Sequence, residues 1–180
     1  MQKVCPITPN QDGAETPAYV YSHYFLGRRA TALARIDLLN KLSQNFDVTV
    51  YTHADCKDIL PTAIYGGKID YYDTMPTVFQ HSKINLNITL KTIQTGIPLR
   101  AWDILGCSGF LLTNFQQELC DFFIPGEDFV YYESPADAIE KAAYFLSHDR
   151  ERQAIAHNAF EKIAASHTFH HRVQSMFDII

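Results

Sequence analysis

The sequence predicts an α/β fold in which a doubly wound parallel sheet carries helices on both faces. Amphipathic segments of helical length alternate with short apolar or β-branched segments along most of the chain. The 180 residues correspond to about one domain. Their composition, 47% hydrophobic and 19% charged, is typical of a packed globular protein.

Helices are predicted where apolar residues recur every three or four positions and where a start signal precedes them. The first covers residues 28–44, and residues 18–21 are left open as either a first strand or the lead-in to this helix. Further helices are predicted to begin at residues 75–76, at Pro98 (ending near Gly106) and at Ser134 with Pro135, and two more to contain residues 155–163 and 173–180.

Strands are predicted from β-branched and alternating segments at residues 47–51, 69–72, 84–88, 110–113 and 129–132. Residues 1–17 contain three prolines and a glycine among polar residues, which predicts a linker. Residues 18–180 are predicted to form one Rossmann-like domain.

Charge and composition exclude several classes of protein. A formal net charge of −5 is too acidic for a general nucleic-acid binder. No apolar stretch approaches the length of a membrane span, and no signal peptide is visible at Met1. The four cysteines form no CxxC pair, so free thiols in a cytoplasmic protein are expected.

The predicted chemistry lies after the strand at residues 84–88, because ligands of open parallel sheets bind beyond the carboxyl ends of the strands. The segment that follows contains Lys91, Gly96 and Arg100 and opens the helix at Pro98. Free N–H groups at a helix start, a glycine and two cations favour a diphosphate. Asp103, one turn later, has two oxygens that can accept from ribose hydroxyls.

The same residues admit a plainer interpretation, in which the segment is a polar loop and Arg100 forms a surface ion pair with Asp103. Asn87, Thr89, Gln94 and Asn114 are further candidates for lining the cleft.

Other polar clusters favour structural roles. Asp70 and Asp73 lack the spacing of a metal-binding pair, and no metal site is predicted. The histidines of the 167–171 segment favour helix capping and packing over zinc binding. The paired tyrosines at 131–132 are interpreted as sheet residues, and the paired arginines at 28–29 as the solvated start of a helix.

Residues 82–90 (SKINLNITL), 96–114 (GIPLRAWDILGCSGFLLTN) and 125–132 (PGEDFVYY) resemble group 1 glycosyltransferases of the GT-B fold, in their spore-maturation-protein-like branch. The resemblance covers about residues 25–180. It implies that the chain is the C-terminal, donor-binding half of a GT-B fold. It also implies a nucleotide-diphospho-sugar donor, a protein or glycan acceptor, and no bound metal.

Many retaining members of that fold carry two glutamates eight positions apart, one touching the sugar and one the ribose. Asp103 stands at the second position and Thr95 at the first. The resemblance therefore implies a ribose contact by Asp103, whereas Thr95 supplies no carboxylate to the sugar. No residue stands out as general base, so an N-terminal acceptor-binding domain is the expected partner and transfer by this chain alone is not expected. The alternatives are a sugar-nucleotide epimerase and a non-catalytic module of a spore or cell surface.

Overall fold

The computed structural model describes residues 16–93 and 95–178. Its helices are α1 (Pro17–Val20), α2 (Arg28–Ser43), α3 (Met75–His81), α4 (Leu99–Gly106), α5 (Pro135–Ser147), α6 (Asp149–Ser166) and α7 (Phe169–Phe177). A π-helical segment (Tyr21–Gly27) joins α1 to α2, and a 3-10 helix covers Gln117–Asp121. The strands are β1 (Thr49–Tyr51), β2 (Ile64–Gly67), β3 (Asn85–Asn87), β4 (Leu111–Asn114) and β5 (Val130–Tyr132).

All of these strands pair in parallel. β1 pairs with β2, and β3, β4 and β5 form a second sheet in that order. In this second sheet Leu86 lies opposite Leu112, and Leu112 lies opposite Val130. The prediction of an α/β fold with parallel strands flanked by helices is confirmed, with the strands divided between two sheets.

Helices cover both faces of the three-stranded sheet, as β4 shows. Leu111 and Leu112 are both fully buried but belong to different core clusters, because successive side chains of a strand point to opposite faces. Leu112 packs in the cluster that contains residues of α2 and α5, and Leu111 packs in the cluster that contains residues of α3 and α4. Burial on both faces explains why β4 reads as a continuous apolar segment.

The first described segment is helical, which decides the alternative left open at residues 18–21. The Thr16 hydroxyl accepts from the Tyr19 N–H at 3.1 Å, and Pro17 occupies the first turn. Helical structure then runs through Tyr21–Gly27 into α2. The predicted linker falls largely outside the described residues.

The strand predicted at residues 69–72 is wrong. Asp70 instead folds the chain into a turn, since its Oδ1 accepts from the N–H groups of Tyr72 and Asp73, at 2.8 Å each. The strand lies earlier, at Ile64–Gly67, where two glycines weaken the strand signal. A Cβ on Gly66 would lie only 2.5 Å from Cε1 of Tyr51, so the glycine admits the ring from the neighbouring strand.

The start signals of the later helices are confirmed. Ser134 caps α5 by accepting from the Asp137 N–H at 3.2 Å, with Pro135 in the first turn. Helix α4 follows Pro98 and ends at Gly106, and Arg28 and Arg29 open α2 in exposed positions. Within residues 16–93 and 95–178, every helix falls short of the length and apolarity that crossing a bilayer requires.

A cleft of about 1290 Å³ lies between the two sheets, lined by β1 on one side and β3 on the other. Apolar residues of α2, among them Ile36 and Leu39, also line it.

The turn from α4 into β4 provides a test of the packing. A Cβ on Gly109 would lie 2.7 Å from the Phe79 carbonyl oxygen and 3.0 Å from that of Ile104. We expect Gly109→Ala to lower the free energy of unfolding by about 1–3 kcal/mol, because backbone atoms must move. Gly106→Ala is the matched control: its Cβ would meet nothing closer than 3.9 Å, so its effect should stay below about 1 kcal/mol. Urea unfolding followed by circular dichroism measures both, and equal midpoints for the two variants would contradict the packing described.

Candidate nucleotide site at the carboxyl ends of the strands

The loops after β2, β3 and β4 are joined by side-chain hydrogen bonds. Tyr71, after β2, donates its hydroxyl proton to Asp103 of α4. Gly96, in the loop after β3, donates its N–H to Glu118 in the 3-10 helix after β4. Because α4 continues the loop after β3, these two contacts bring the loops after β2, β3 and β4 to one region of the surface.

A buried amide network fixes the edge from which two of these loops leave. The Asn87 amide donates to the hydroxyls of Thr89 and Thr113, at 3.0 Å each. The Thr89 N–H then donates to Oδ1 of Asn114 at 2.7 Å. Asn87, Thr89 and Asn114, predicted as cleft residues, are thus brought together, but their polar groups bond mainly to one another.

Asp103 is half-buried on α4, and its Oδ2 accepts the Tyr71 hydroxyl proton. This hydrogen bond, aided by partial burial and by the Asp103 charge, raises the pKa of Tyr71 to about 12. Arg100 lies close enough to act electrostatically on Tyr71 in the opposite direction. The ion pair between Arg100 and Asp103 considered from the sequence is not formed among the described residues.

Gly96 is exposed, with a φ of +93° that favours glycine. Its N–H is occupied by a carboxylate oxygen of Glu118. Glu118 is not among the residues predicted from the sequence, although an acidic residue shortly after a predicted strand end was the available signal. The position predicted to bind an anion thus holds an anionic group of the protein itself.

The remaining predicted residues lie around these contacts. The Lys91 N–H donates to the buried hydroxyl of Thr31 at 3.0 Å, which ties the loop to α2 and leaves the exposed ammonium without an ion pair among the described residues. Thr95 and Arg100 are exposed. Gln94 lies outside the described residues. At the start of α4, no described group accepts from the N–H of Leu99 or of Arg100.

In the histidine segment, His171 caps a helix and His167 packs against an aromatic ring. Thr168 caps α7 reciprocally with His171, which confirms the capping interpretation. The His167 ring packs against Trp102, with centroids 5.3 Å apart, and its pKa is lowered by burial and by Arg172. In the described part of the chain, no three His, Cys, Asp or Glu side chains are arranged to hold a metal.

The contact between Tyr71 and Asp103 predicts a late tyrosine titration. Because the folded pKa lies above the ordinary value of 10.0, the contact stabilises the fold below about pH 10 and is lost as the pH rises through about 12. In NMR spectra of protein labelled with ¹³C at tyrosine Cζ, the Tyr71 resonance is identified by its absence from Tyr71→Phe. At about pH 10.5 its chemical shift should be that of a neutral phenol. In Asp103→Ala the same chemical shift should indicate a mostly ionised Tyr71 phenol at that pH.

Tyr132 is the internal control, because burial rather than Asp103 raises its pKa to about 12. The Tyr132 phenol should stay neutral at about pH 10.5 in both the wild-type chain and Asp103→Ala. Identical titration of Tyr71 with and without Asp103 would show that the hydrogen bond does not form in solution.

Comparison with known proteins identifies the family of this chain. A family model described as glycosyl transferase-like matches residues 28–178, which include the three loops and both sheets. No curated protein matches the chain. Because this family model matches most of the chain, the chain belongs to the glycosyl transferase-like family.

Proposed function

We propose that the chain is the donor-binding domain of a glycosyltransferase and that it binds a nucleoside-diphosphate sugar at the carboxyl ends of β2, β3 and β4. The observation that carries the proposal is the placement of Asp103. Tyr71 holds one oxygen of the Asp103 carboxylate one turn after the start of α4, where Arg100 lies with two N–H groups that have no acceptor among the described residues.

Asp103 is proposed to bind the ribose. Tyr71 takes Oδ2, which leaves Oδ1 without a partner among the described residues. A carboxylate oxygen accepts well from a sugar hydroxyl, and hydrogen bonds to charged groups contribute about 1.5–3 kcal/mol each. Tyr71 is thus a positioning residue, because it fixes the orientation of the carboxylate without itself being required to touch the ligand.

The diphosphate is proposed to lie between the N-terminus of α4 and the loop after β3. The N–H groups of Leu99 and Arg100, which have no acceptor in the described part of the chain, and the helix dipole favour an anion there. The Arg100 guanidinium offers a two-pronged contact, and the exposed Lys91 adds a point charge. These groups would neutralise the leaving diphosphate in place of a metal ion.

Transfer itself is proposed to need groups from an acceptor-binding domain. Thr95, at the position proposed to face the sugar, is exposed and carries no titratable group. The acceptor, a protein or a glycan, would enter from the opposite side of a cleft between two domains.

We expect three substitutions to distinguish the proposed ribose contact from the proposed diphosphate contacts. Asp103→Ala should weaken a nucleoside diphosphate and its nucleoside alike, by about 10- to 100-fold, because both contain the ribose. Arg100→Ala should weaken only the diphosphate, by about tenfold, and Lys91→Ala should do the same less strongly. Calorimetric titrations measure these losses after a thermal-shift screen of uridine, guanosine and thymidine diphosphates selects the base.

Lys41→Ala is a suitable control, because it also removes one positive charge, and its exposed ammonium pairs with Asp37 on α2, ten residues along the helix from Thr31. Two results would refute the assignment: equal losses for both ligands in Arg100→Ala, or no loss of either ligand in a folded Asp103→Ala. A chain that binds no nucleotide at all would favour the non-catalytic module over the donor-binding domain.

A further inference from the structure

We infer that Glu118 is a specificity-determining residue, which holds the diphosphate position with its own carboxylate and must be displaced when the ligand binds. The inference rests on the proposed function. It adds a residue that opposes binding of the diphosphate and leaves binding of the nucleoside unaffected.

The geometry of Glu118 carries the first step. Its carboxylate accepts from the Gly96 N–H, in the loop proposed to hold the diphosphate. A backbone N–H beside a glycine is the type of donor that phosphate oxygens use, since no side chain blocks their approach. One N–H cannot serve a carboxylate and a phosphate fully at the same time, so the two acceptors compete.

The position of Glu118 in the chain explains how it can both reach this N–H and leave it. Its neighbour Leu119 is 1% exposed and packs in the core cluster beneath α4, which anchors the 3-10 helix. The Glu118 side chain is only half-buried. The backbone therefore stays in place while rotation of the side chain uncovers Gly96.

Charge decides which ligands succeed in the competition. Neither Lys91 nor Arg100 forms an ion pair with Glu118 in the described residues, so both cations remain available to a ligand. A diphosphate carries more negative charge than one carboxylate and gains from both cations. A nucleoside has no group that needs the Gly96 N–H, and Glu118 should not affect its binding.

The test compares Glu118→Ala and Glu118→Gln with the wild-type chain. The selected nucleoside diphosphate should bind about tenfold more tightly to Glu118→Ala, with a smaller gain for Glu118→Gln, which retains an uncharged acceptor. The affinity for the nucleoside should stay unchanged. Asp121→Asn, an exposed residue of the same 3-10 helix, is the matched control for net charge and should change neither affinity.

An amide spectrum without ligand gives a second readout. The Gly96 resonance should shift in Glu118→Ala and stay in place in Asp121→Asn, because only Glu118 contacts that N–H. In Glu118→Ala, inorganic pyrophosphate should move the Gly96 resonance at lower concentrations than in the wild-type chain.

The outcomes separate this inference from the proposed function. If the wild-type chain binds the diphosphate and Glu118→Ala binds it equally or more weakly, the inference fails and the proposed function stands. An equal gain in Asp121→Asn would mean that long-range charge, rather than the contact, limits affinity, and would also overturn it. If neither the wild-type chain nor any variant binds a nucleotide, both fail.

Discussion

The candidate site depends on the buried amide of Asn87. This side chain is 2% exposed, and its amide donates to hydroxyls on its own strand end and on that of β4. A buried donor left unpaired costs about 1–3 kcal/mol, so the two strand ends are held in one register. The loop that contains Gly96 and the segment that contains Glu118 both leave from this edge, and their contact requires it to be fixed. The polar residues at the strand ends thus act as a frame, while the residues that face a ligand lie further along the loops.

The groups proposed to bind a ligand are partly occupied by the protein itself. One oxygen of Asp103 accepts a hydrogen bond from Tyr71, and the Gly96 N–H donates to Glu118. The two contacts differ in their consequences, because a phenol on Asp103 orients an acceptor, whereas a carboxylate on Gly96 competes with an anionic ligand. The surface is therefore organised without a ligand, yet the part proposed to bind the diphosphate is closed by a carboxylate, which has the same sign of charge as that ligand. A bound diphosphate would replace the Glu118 carboxylate as the acceptor of the Gly96 N–H. The affinity of this edge would therefore depend on the charge of the ligand.

Local signals in the sequence predicted most of the fold and the place of the candidate site residues along it. Helix α4 and the position of Asp103 within it follow from a proline start and a helical period, both of which act within a few residues. The strand at Ile64–Gly67 was missed because Gly66 is selected by the ring of Tyr51, a contact invisible to a local pattern. The contacts of Tyr71 and Glu118 were not predicted for the same reason. These residues lie 32 and 22 positions from Asp103 and Gly96, and only the folded chain brings each pair together.

The cleft of about 1290 Å³ between the two sheets, which Arg100 also lines, is the alternative place for a ligand. An amide NMR titration with the nucleoside diphosphate distinguishes the two places directly. Binding at the carboxyl ends predicts that the largest shift changes fall on Gly96, Leu99 and Asp103. Largest changes at Thr49 and Leu86, which line the cleft, with those three residues unmoved, would contradict the proposed site.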